Sequence, residues 1–438
     1  MIPRLFARVR FLQGKESFAK QVLIARSLFC KGALGLIYMG VVRRLSLFLF
    51  YVCLTCAVIF NSALYVFSVS PSETLDRSKA ICTNTNGLES AVAVSAQGAV
   101  LLDADSGEVL LSLNENARLP MASTTKIMTA LVALENYDIS KTVSIPKGAV
   151  GIEGSSVYLF EGERMTMENL LYCLLLESAN DAATAIAIEV AGSVEAFAQM
   201  MNDKAEQLRL NNTHFTNPHG LDDKEHYTSA HDLAIITREA LQNPVFKTIV
   251  STYKKTVPLN DTQGVRLLIN HNRMLRMYDG TIGVKTGFTK RSGRCLVSAA
   301  ERDGLTLIAV TINAPDDWRD HTAMLNYGFE CYESVTLAQK GELTVQLDVV
   351  GGKQSYVTVS NTDDVCITLP RDCGTITCTV EMYRFAYAPV ADSEKLGETV
   401  WKCGSKEIAR TDLYASHAVE GIQYKKNIFE RILEFFGF

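Results

Sequence analysis

The sequence predicts an α+β body, a sheet covered by a helical cluster, followed by a small all-β domain. Three observations carry this. Short apolar runs stand at both ends of residues 88–333, and helical periodicity fills the span between them. From about Ser334 only short β-rich runs remain, separated by Gly, Pro, Asn and Asp.

In chain order, AVAVSAQGAVLLDADSGEVLLSLN places two apolar runs either side of Asp105-Ser106-Gly107, a hairpin signal. Pro120 precedes a helical run, Ser123–Asn136, with Ile127, Leu131 and Leu134 on one face. Met167–Ala191 and Val194–Leu208 read as further helices, and Ile282–Val284, Arg294–Ala300 and Thr306–Ile312 as strands, the last two joined at Arg302-Asp303-Gly304. Residues 334–424 hold the β runs ELTVQLDVV, SYVTVS, VCITLP, TITCTVEMY and ETVWKCG. Residues 425–438 (KKNIFERILEFFGF) set Ile428, Phe429, Ile432, Leu433, Phe435 and Phe436 along one side of a short amphipathic helix.

At 438 residues the chain is long enough for two folded units plus targeting material. Its apolar fraction of 47% and charged fraction of 21% exclude wholesale disorder. A net charge of −5 with no basic stripe gives no pull toward nucleic acid. Residues 1–44 nevertheless hold nine Lys/Arg against the single acid Glu16, and Leu45–Val69 then runs twenty-five residues without a charge. That is long enough to span a bilayer, so residues 39–70 read as a signal peptide or a retained anchor, with everything after about residue 70 exported. Met39 stands where a signal sequence would start, which leaves 1–38 as a basic extension and 71–87 as a linker. Eight cysteines lie beyond the targeting region. Free thiols are the expectation, with Cys366, Cys373 and Cys378 the candidates for any pair.

Three short motifs occur in order: Ser123-Thr124-Thr125-Lys126, Ser178-Ala179-Asn180 and Lys285-Thr286-Gly287. Singly they are weak, since S-x-x-K arises by chance roughly once or twice in a chain this long. Ser17–Lys20, Ser251–Lys254 and Ser112–Asn114 are decoys of that kind. Only Ser123 opens a helix after a Pro-Met-Ala lead-in. Residues i and i+3 share a helix face, so Lys126 reaches the Ser123 hydroxyl, whereas Thr125 is expected to point elsewhere and be dispensable. A serine hydroxyl needs a neighbouring base, and a lysine can serve only if burial or nearby cations lower its pKa. Glu177–Asp181 interrupts an apolar helical run and is expected to turn into a cleft. Lys285-Thr286-Gly287 begins at the end of a β run, offering a cation and a hydroxyl to a carboxylate, with glycine leaving room for a substrate backbone.

Together, ordered S-x-x-K, S-x-N and K-T-G motifs resemble the penicillin-recognising serine enzymes. The flanks Leu119–Thr129, Glu161–Glu163 through Asn180–Ala183, FTNPHGLDDKEHYTSAHDLA, GVKTGFTKRSGRCLVSAAERDG and Asn326–Phe329 resemble the low-molecular-weight D-alanyl-D-alanine carboxypeptidases. Ala388-Pro389-Val390 and Gly404–Ile408 resemble the C-terminal β domain of that family. The resemblance implies a β-lactamase/transpeptidase-like fold for residues 88–333. It implies Ser123 as acyl-enzyme nucleophile, Lys126 as base, Ser178 as proton relay and Asn180 as a substrate-amide contact. Lys285 and Thr286 would take the terminal carboxylate beside Gly287, and the backbone N–H groups of Ser123 and Phe288 would form an oxyanion hole. An arginine contact of some relatives falls on His271 here and stays open. The implied partners are peptidoglycan stem peptides, β-lactams and the outer face of the cytoplasmic membrane, with no cofactor and no metal.

Three alternatives remain. A zinc peptidase would use the cluster His214, His219, His226, His231, Asp222, Asp223 and Asp232, although no HExxH occurs. A β-lactamase would need a carboxylate-activated water, and no E-x-x-L-N lies between Ser178 and Lys285. A non-catalytic penicillin sensor would carry the same motifs.

Overall fold

A computed structural model describes residues 81–84, 89–259 and 264–422 of the chain. The expectations for residues 1–38, 39–70, most of the linker and the tail 425–438 lie outside the described residues. No helix among the described residues is long and apolar enough to cross a membrane.

The first half contains strands β1 (Ile81–Asn84), β2 (Glu89–Ala93), β3 (Gly98–Asp103) and β4 (Val109–Leu113), then helix α1 (Lys126–Asn136). Strands β5 (Thr142–Ser144) and β6 (Arg164–Thr166) precede helices α2 (Met167–Leu176), α3 (Asn180–Ala191), α4 (Val194–Gln207), α5 (Ala230–Leu241) and α6 (Pro244–Ser251). The hairpin β7 (Lys254–Pro258) and β8 (Val265–Ile269) and a single turn α7 (Met274–Met277) lead to β9 (Thr281–Thr289), β10 (Gly293–Arg302) and β11 (Leu305–Ile312). Helix α8 (Asp317–Cys331) closes this half. Seven strands form one antiparallel sheet in the order β2-β1-β4-β3-β11-β10-β9, which puts β9 at an edge. The β3–β4 hairpin turns where expected, with the Asp103 carboxylate accepting from the amides of Asp105 (3.2 Å) and Ser106 (3.1 Å).

The sheet is buried on both faces. Val100, Leu102, Val297 and Val310 point into the helical cluster, while Ala99, Leu101, Leu296 and Leu307 point toward Met324 and Leu325 of α8. Two-sided burial explains why Ala99–Leu102 of β3 is a continuous apolar run rather than alternating. Helix α1 is buried over Lys126–Ala133, so its apolar face is nearly a full circumference rather than the expected stripe. The long apolar run Met167–Ala191 is two helices, broken at Glu177–Ala179 where Ser178 takes a left-handed φ of 60°.

α8 runs directly into β12 (Tyr332–Ala338), followed by β13 (Val345–Val350), β14 (Tyr356–Ser360), β15 (Val365–Pro370), β16 (Ile376–Met382), β17 (Ala386–Tyr387), β18 (Lys395–Cys403) and β19 (Lys406–Ala415). Strands β12 and β15 pair with each other, and the rest form a sheet in the order β16-β18-β19-β14-β13-β17 over Leu347, Val357, Val359 and Leu413. The expected β runs are present. Cys373 pairs with Cys403, which corrects the expectation of free thiols or a pair within Cys366, Cys373 and Cys378; Cys366 and Cys378 are exposed and free.

Candidate active site

Ser123 sits in a 3-10 turn, Ala122–Thr125, and the α-helix proper begins at Lys126. This differs from a helix starting at Ser123, and the difference matters. In a 3-10 turn i and i+3 eclipse, which brings Lys126 Nζ within 3.0 Å of Ser123 Oγ. Ala122, immediately before the serine, has φ 48°, a conformation costly for alanine. Thr125 is not idle, contrary to expectation. Its buried Oγ1 donates to Ala122 O (2.8 Å) and lies 2.8 Å from His226 Nε2.

Lys126 is fully buried, and Nζ also donates to Asn180 Oδ1 (2.7 Å) and His219 O (2.6 Å). Burial, then the neighbouring Lys285 charge, hold its pKa well below the ordinary lysine value. Asn180 opens α3, where its Nδ2 donates to Glu153 O (2.5 Å) and its backbone N to Ser155 O (2.7 Å). Both ends of its amide are therefore engaged by the protein. Glu177, before Ser178, accepts from Ile269 N (2.5 Å) and faces His271 Nε2 at 3.2 Å. The pKa of His271 is lowered chiefly by burial, then by Lys285, with Glu177 opposing.

Lys285-Thr286-Gly287 lies inside β9 rather than at its end, paired with Val297, Leu296 and Cys295 of β10. Lys285 Nζ donates to Thr286 O (2.8 Å), and burial pushes its pKa down to about 7 against the opposing pull of Glu177. Gly287 is also fitted closely to the protein itself: an added Cβ would lie 3.1 Å from both Ser123 N and Thr124 N. This close fit is a second reason for glycine here, beside the expected room for a substrate backbone. Phe288 follows, 65% exposed.

These elements wall a cleft of about 770 Å³ that Ser123, Ser178, Thr286, Gly287 and Phe288 line together. The three motifs converge, since Lys126 bonds Asn180 and carries a Coulomb interaction with Lys285. Sequence reasoning missed the far wall, where Arg273, Arg294, Asp316, Asp317, Trp318 and Arg319 join His271. Arg294 pairs with Asp317 (2.8 Å) and Arg319 with Asp316 (3.4 Å). Nothing in local spacing links residue 273 to 319; only the sheet does. The decoy Ser251 caps nothing catalytic: its Oγ donates to Thr248 O at the end of α6.

The His/Asp cluster has other duties. His214 Nδ1 bonds Glu225 O (2.6 Å), His219 Nδ1 accepts from Leu221 N (3.2 Å), and Asp232 accepts from Asn212 N (2.8 Å) and Thr213 Oγ1 (2.8 Å). Asp222 accepts from Thr289 Oγ1 (2.9 Å), Asp223 from Glu225 N (2.8 Å), and His231 Nδ1 faces Asp232 at 3.5 Å. Among the described residues no group of His, Cys, Asp and Glu is arranged to hold a metal.

Residues 85–316 match the D-alanyl-D-alanine carboxypeptidase family, and residues 332–421 match the C-terminal domain of penicillin-binding protein 5. The D-alanyl-D-alanine carboxypeptidase DacF of Bacillus subtilis is 33% identical over 74% of this chain and 86% of its own length. DacA of Haemophilus influenzae is 31% identical over 74% and 86%. The structure of penicillin binding protein 5 from Haemophilus influenzae superposes with a TM-score of 0.65 at 28% identity, covering 75% of this chain and 98% of that one. The chain therefore belongs to the D-alanyl-D-alanine carboxypeptidases, serine peptidases of the low-molecular-weight penicillin-binding protein type.

Proposed function

We propose that this D-Ala-D-Ala carboxypeptidase removes the terminal D-alanine of peptidoglycan stem peptides through an acyl-enzyme on Ser123, with Lys126 as base. The contacts of Lys126 Nζ carry this reading. A neutral amine has two protons and one lone pair; Asn180 Oδ1 and His219 O accept the two protons, so the lone pair faces Ser123 Oγ at 3.0 Å. Burial and the Lys285 charge, which lower its pKa, favour that neutral form.

Attack of Oγ on the scissile carbonyl passes the hydroxyl proton to Lys126, and the backbone N–H groups of Ser123 and Phe288 receive the oxyanion. Ser178, which lines the same cleft, relays a proton to the leaving D-alanine amine. Lys285 supplies positive potential and Thr286 a hydroxyl for the terminal carboxylate. Edge strand β9 offers backbone groups to an extended peptide. Asn180 serves in this reading by fixing Lys126 as well as facing the substrate amide. Water then hydrolyses the acyl-enzyme. β-Lactams, which acylate members of this family, should do so here and leave slowly, because Glu177 beside Ser178 is already engaged by Ile269 N and His271.

The substrate places the enzyme outside the cytoplasm. The apolar segment Leu45–Val69 and the amphipathic stretch 425–438 both support attachment to the outer face of the cytoplasmic membrane. The deciding experiment for the chemistry is intact mass spectrometry after penicillin treatment. One adduct mapping to Ser123, absent from Ser123→Ala, is expected; an adduct on another residue overturns the assignment.

A further inference from the structure

We infer that Thr125 and His226 are positioning residues for acylation: their hydrogen bond clamps the turn that carries Ser123 to the loop whose carbonyl holds Lys126. This rests on the reading of Ser123 as nucleophile and Lys126 as base.

The bond has a defined direction. Thr216 N donates to His226 Nδ1 (3.1 Å), which makes Nδ1 the acceptor and leaves the proton on Nε2. Nε2–H therefore donates to Thr125 Oγ1 (2.8 Å), and Oγ1–H donates onward to Ala122 O (2.8 Å). The chain ends on the carbonyl just before the nucleophile, in the residue held at φ 48°. A left-handed alanine persists only where its surroundings over-determine it, and this bond is one such constraint.

The other side of the clamp is the loop 215–226. Thr129 Oγ1 donates to Pro218 O (2.6 Å) and Lys126 Nζ to His219 O (2.6 Å), so residues one turn apart on the nucleophile helix grip adjacent loop carbonyls. Gly220 packs so tightly that a Cβ there would fall 1.9 Å from Ala122 O. His226 is 3% exposed, lies edge-on to Phe215, and burial pushes its pKa down to about 4, so it stays neutral while the enzyme works.

Without the clamp, Ala122 can relax toward ordinary backbone angles and the loop can lift His219 O from Lys126. Ser123 then loses its alignment with Nζ, and water reaches the amine. The groups that face Lys126 are Lys285 from β9, Asp181 from α3, and His219 and His226 from the loop. A threonine variant alters the charge of none of these groups, so loss of burial moves the lysine titration, upward. The base must be neutral, so the acid limb of the rate profile moves to higher pH.

The test is the second-order acylation rate with a fluorescent penicillin, across pH, for Thr125→Val, Thr125→Ser, His226→Gln and Lys126→Ala. Valine matches threonine in shape without the hydroxyl, so the fold should survive. Glutamine can accept from Thr216 N and donate to Thr125 and should retain most of the rate, as should serine. Thr125→Val should slow acylation about tenfold and raise the acid limb, with non-covalent affinity unchanged. A wild-type rate and profile in Thr125→Val, whether or not its Tm falls, overturns the clamp. Acylation of Lys126→Ala would instead overturn the base assignment beneath it, so the two failures are distinct.

Discussion

Gly287 lies against the backbone nitrogen of Ser123, leaving 3.1 Å between that nitrogen and the place where any larger residue would put its Cβ. The edge strand and the nucleophile turn are thus fitted to each other across a missing side chain. This sets the separation between the amides of Ser123 and Phe288. Gly287→Ala should force the two apart by a few tenths of an ångström. Acylation should fall about 10²-fold while folding loses only about 1–3 kcal/mol. Penicillin acylation kinetics beside a melting curve check this; unchanged kinetics would show that the spacing is slack.

Lys285 gives a pH prediction with a definite sign. Its pKa is lowered to about 7 by burial, so the charge that we propose attracts the substrate carboxylate disappears as pH rises through that value. The alkaline limb of kcat/KM should therefore fall near pH 7 in the free enzyme, and Lys285→Arg, charged throughout, should move it upward. Stability runs the opposite way. A lysine whose folded pKa lies below its unfolded value weakens the fold fully below pH 7, and the penalty fades as pH rises toward about 10.4. Lys285→Met should melt higher than wild type at pH 6 while losing activity. A lower melting point would mean the ammonium is better solvated than its burial indicates.

How much of this was readable in advance depends on range along the chain. The Ser123–Lys126 pair was legible because one turn of helix brings the two together, and the β3–β4 turn because Asp103 and Gly107 act locally. Helix α8 was not, because only a thin stripe of it, including Met324, Leu325 and Gly328, meets the sheet. Strand β19 hid for a related reason: Lys406–Ala415 is mostly half-exposed and polar. The Thr125–His226 bond joins residues 101 positions apart, and helix periodicity alone pointed Thr125 away from anything useful. Cys403 was overlooked as the partner of Cys373 because pairing follows from adjacency in the folded sheet, not from spacing.

Residues 425–438 carry seven large apolar side chains (Ile428, Phe429, Ile432, Leu433, Phe435, Phe436 and Phe438) beside Lys425 and Lys426. At fourteen residues the stretch is too short to span a bilayer as a helix, so it should lie in the interface and bind weakly by itself. Protein truncated to begin near residue 75 should co-sediment partly with anionic liposomes, and less so at high salt. Removing 425–438 should abolish that binding; equal sedimentation of both proteins would rule the tail out as an anchor.

Glu163 and Arg266 form a buried ion pair, with side chains 0% and 12% exposed. Arg266 Nη1 donates to Glu163 Oε1 and Nη2 to Oε2 (2.9 Å), while Nε donates to Val157 O (2.9 Å). One arginine on β8 thus ties the β7–β8 hairpin to the loop that also supplies Ser155 to the cleft. Asp181 holds the same loop from α3 through Ser156 Oγ (2.6 Å) and Leu159 N (3.0 Å), and Asn180 holds it through Glu153 O and Ser155 O, so the ion pair is one anchor among several. Glu163→Leu should strand a desolvated guanidinium and cost about 3–5 kcal/mol. Adding Arg266→Leu should recover much of that loss, because a well-packed apolar pair avoids the desolvation that the ions impose. Acylation should change less than stability in both variants, since Asp181 still fixes the loop near Ser155. Thermal denaturation of the two single variants and the double variant forms the cycle. Strictly additive losses would show that the two charges do not depend on each other and that the loop is held by its other bonds alone.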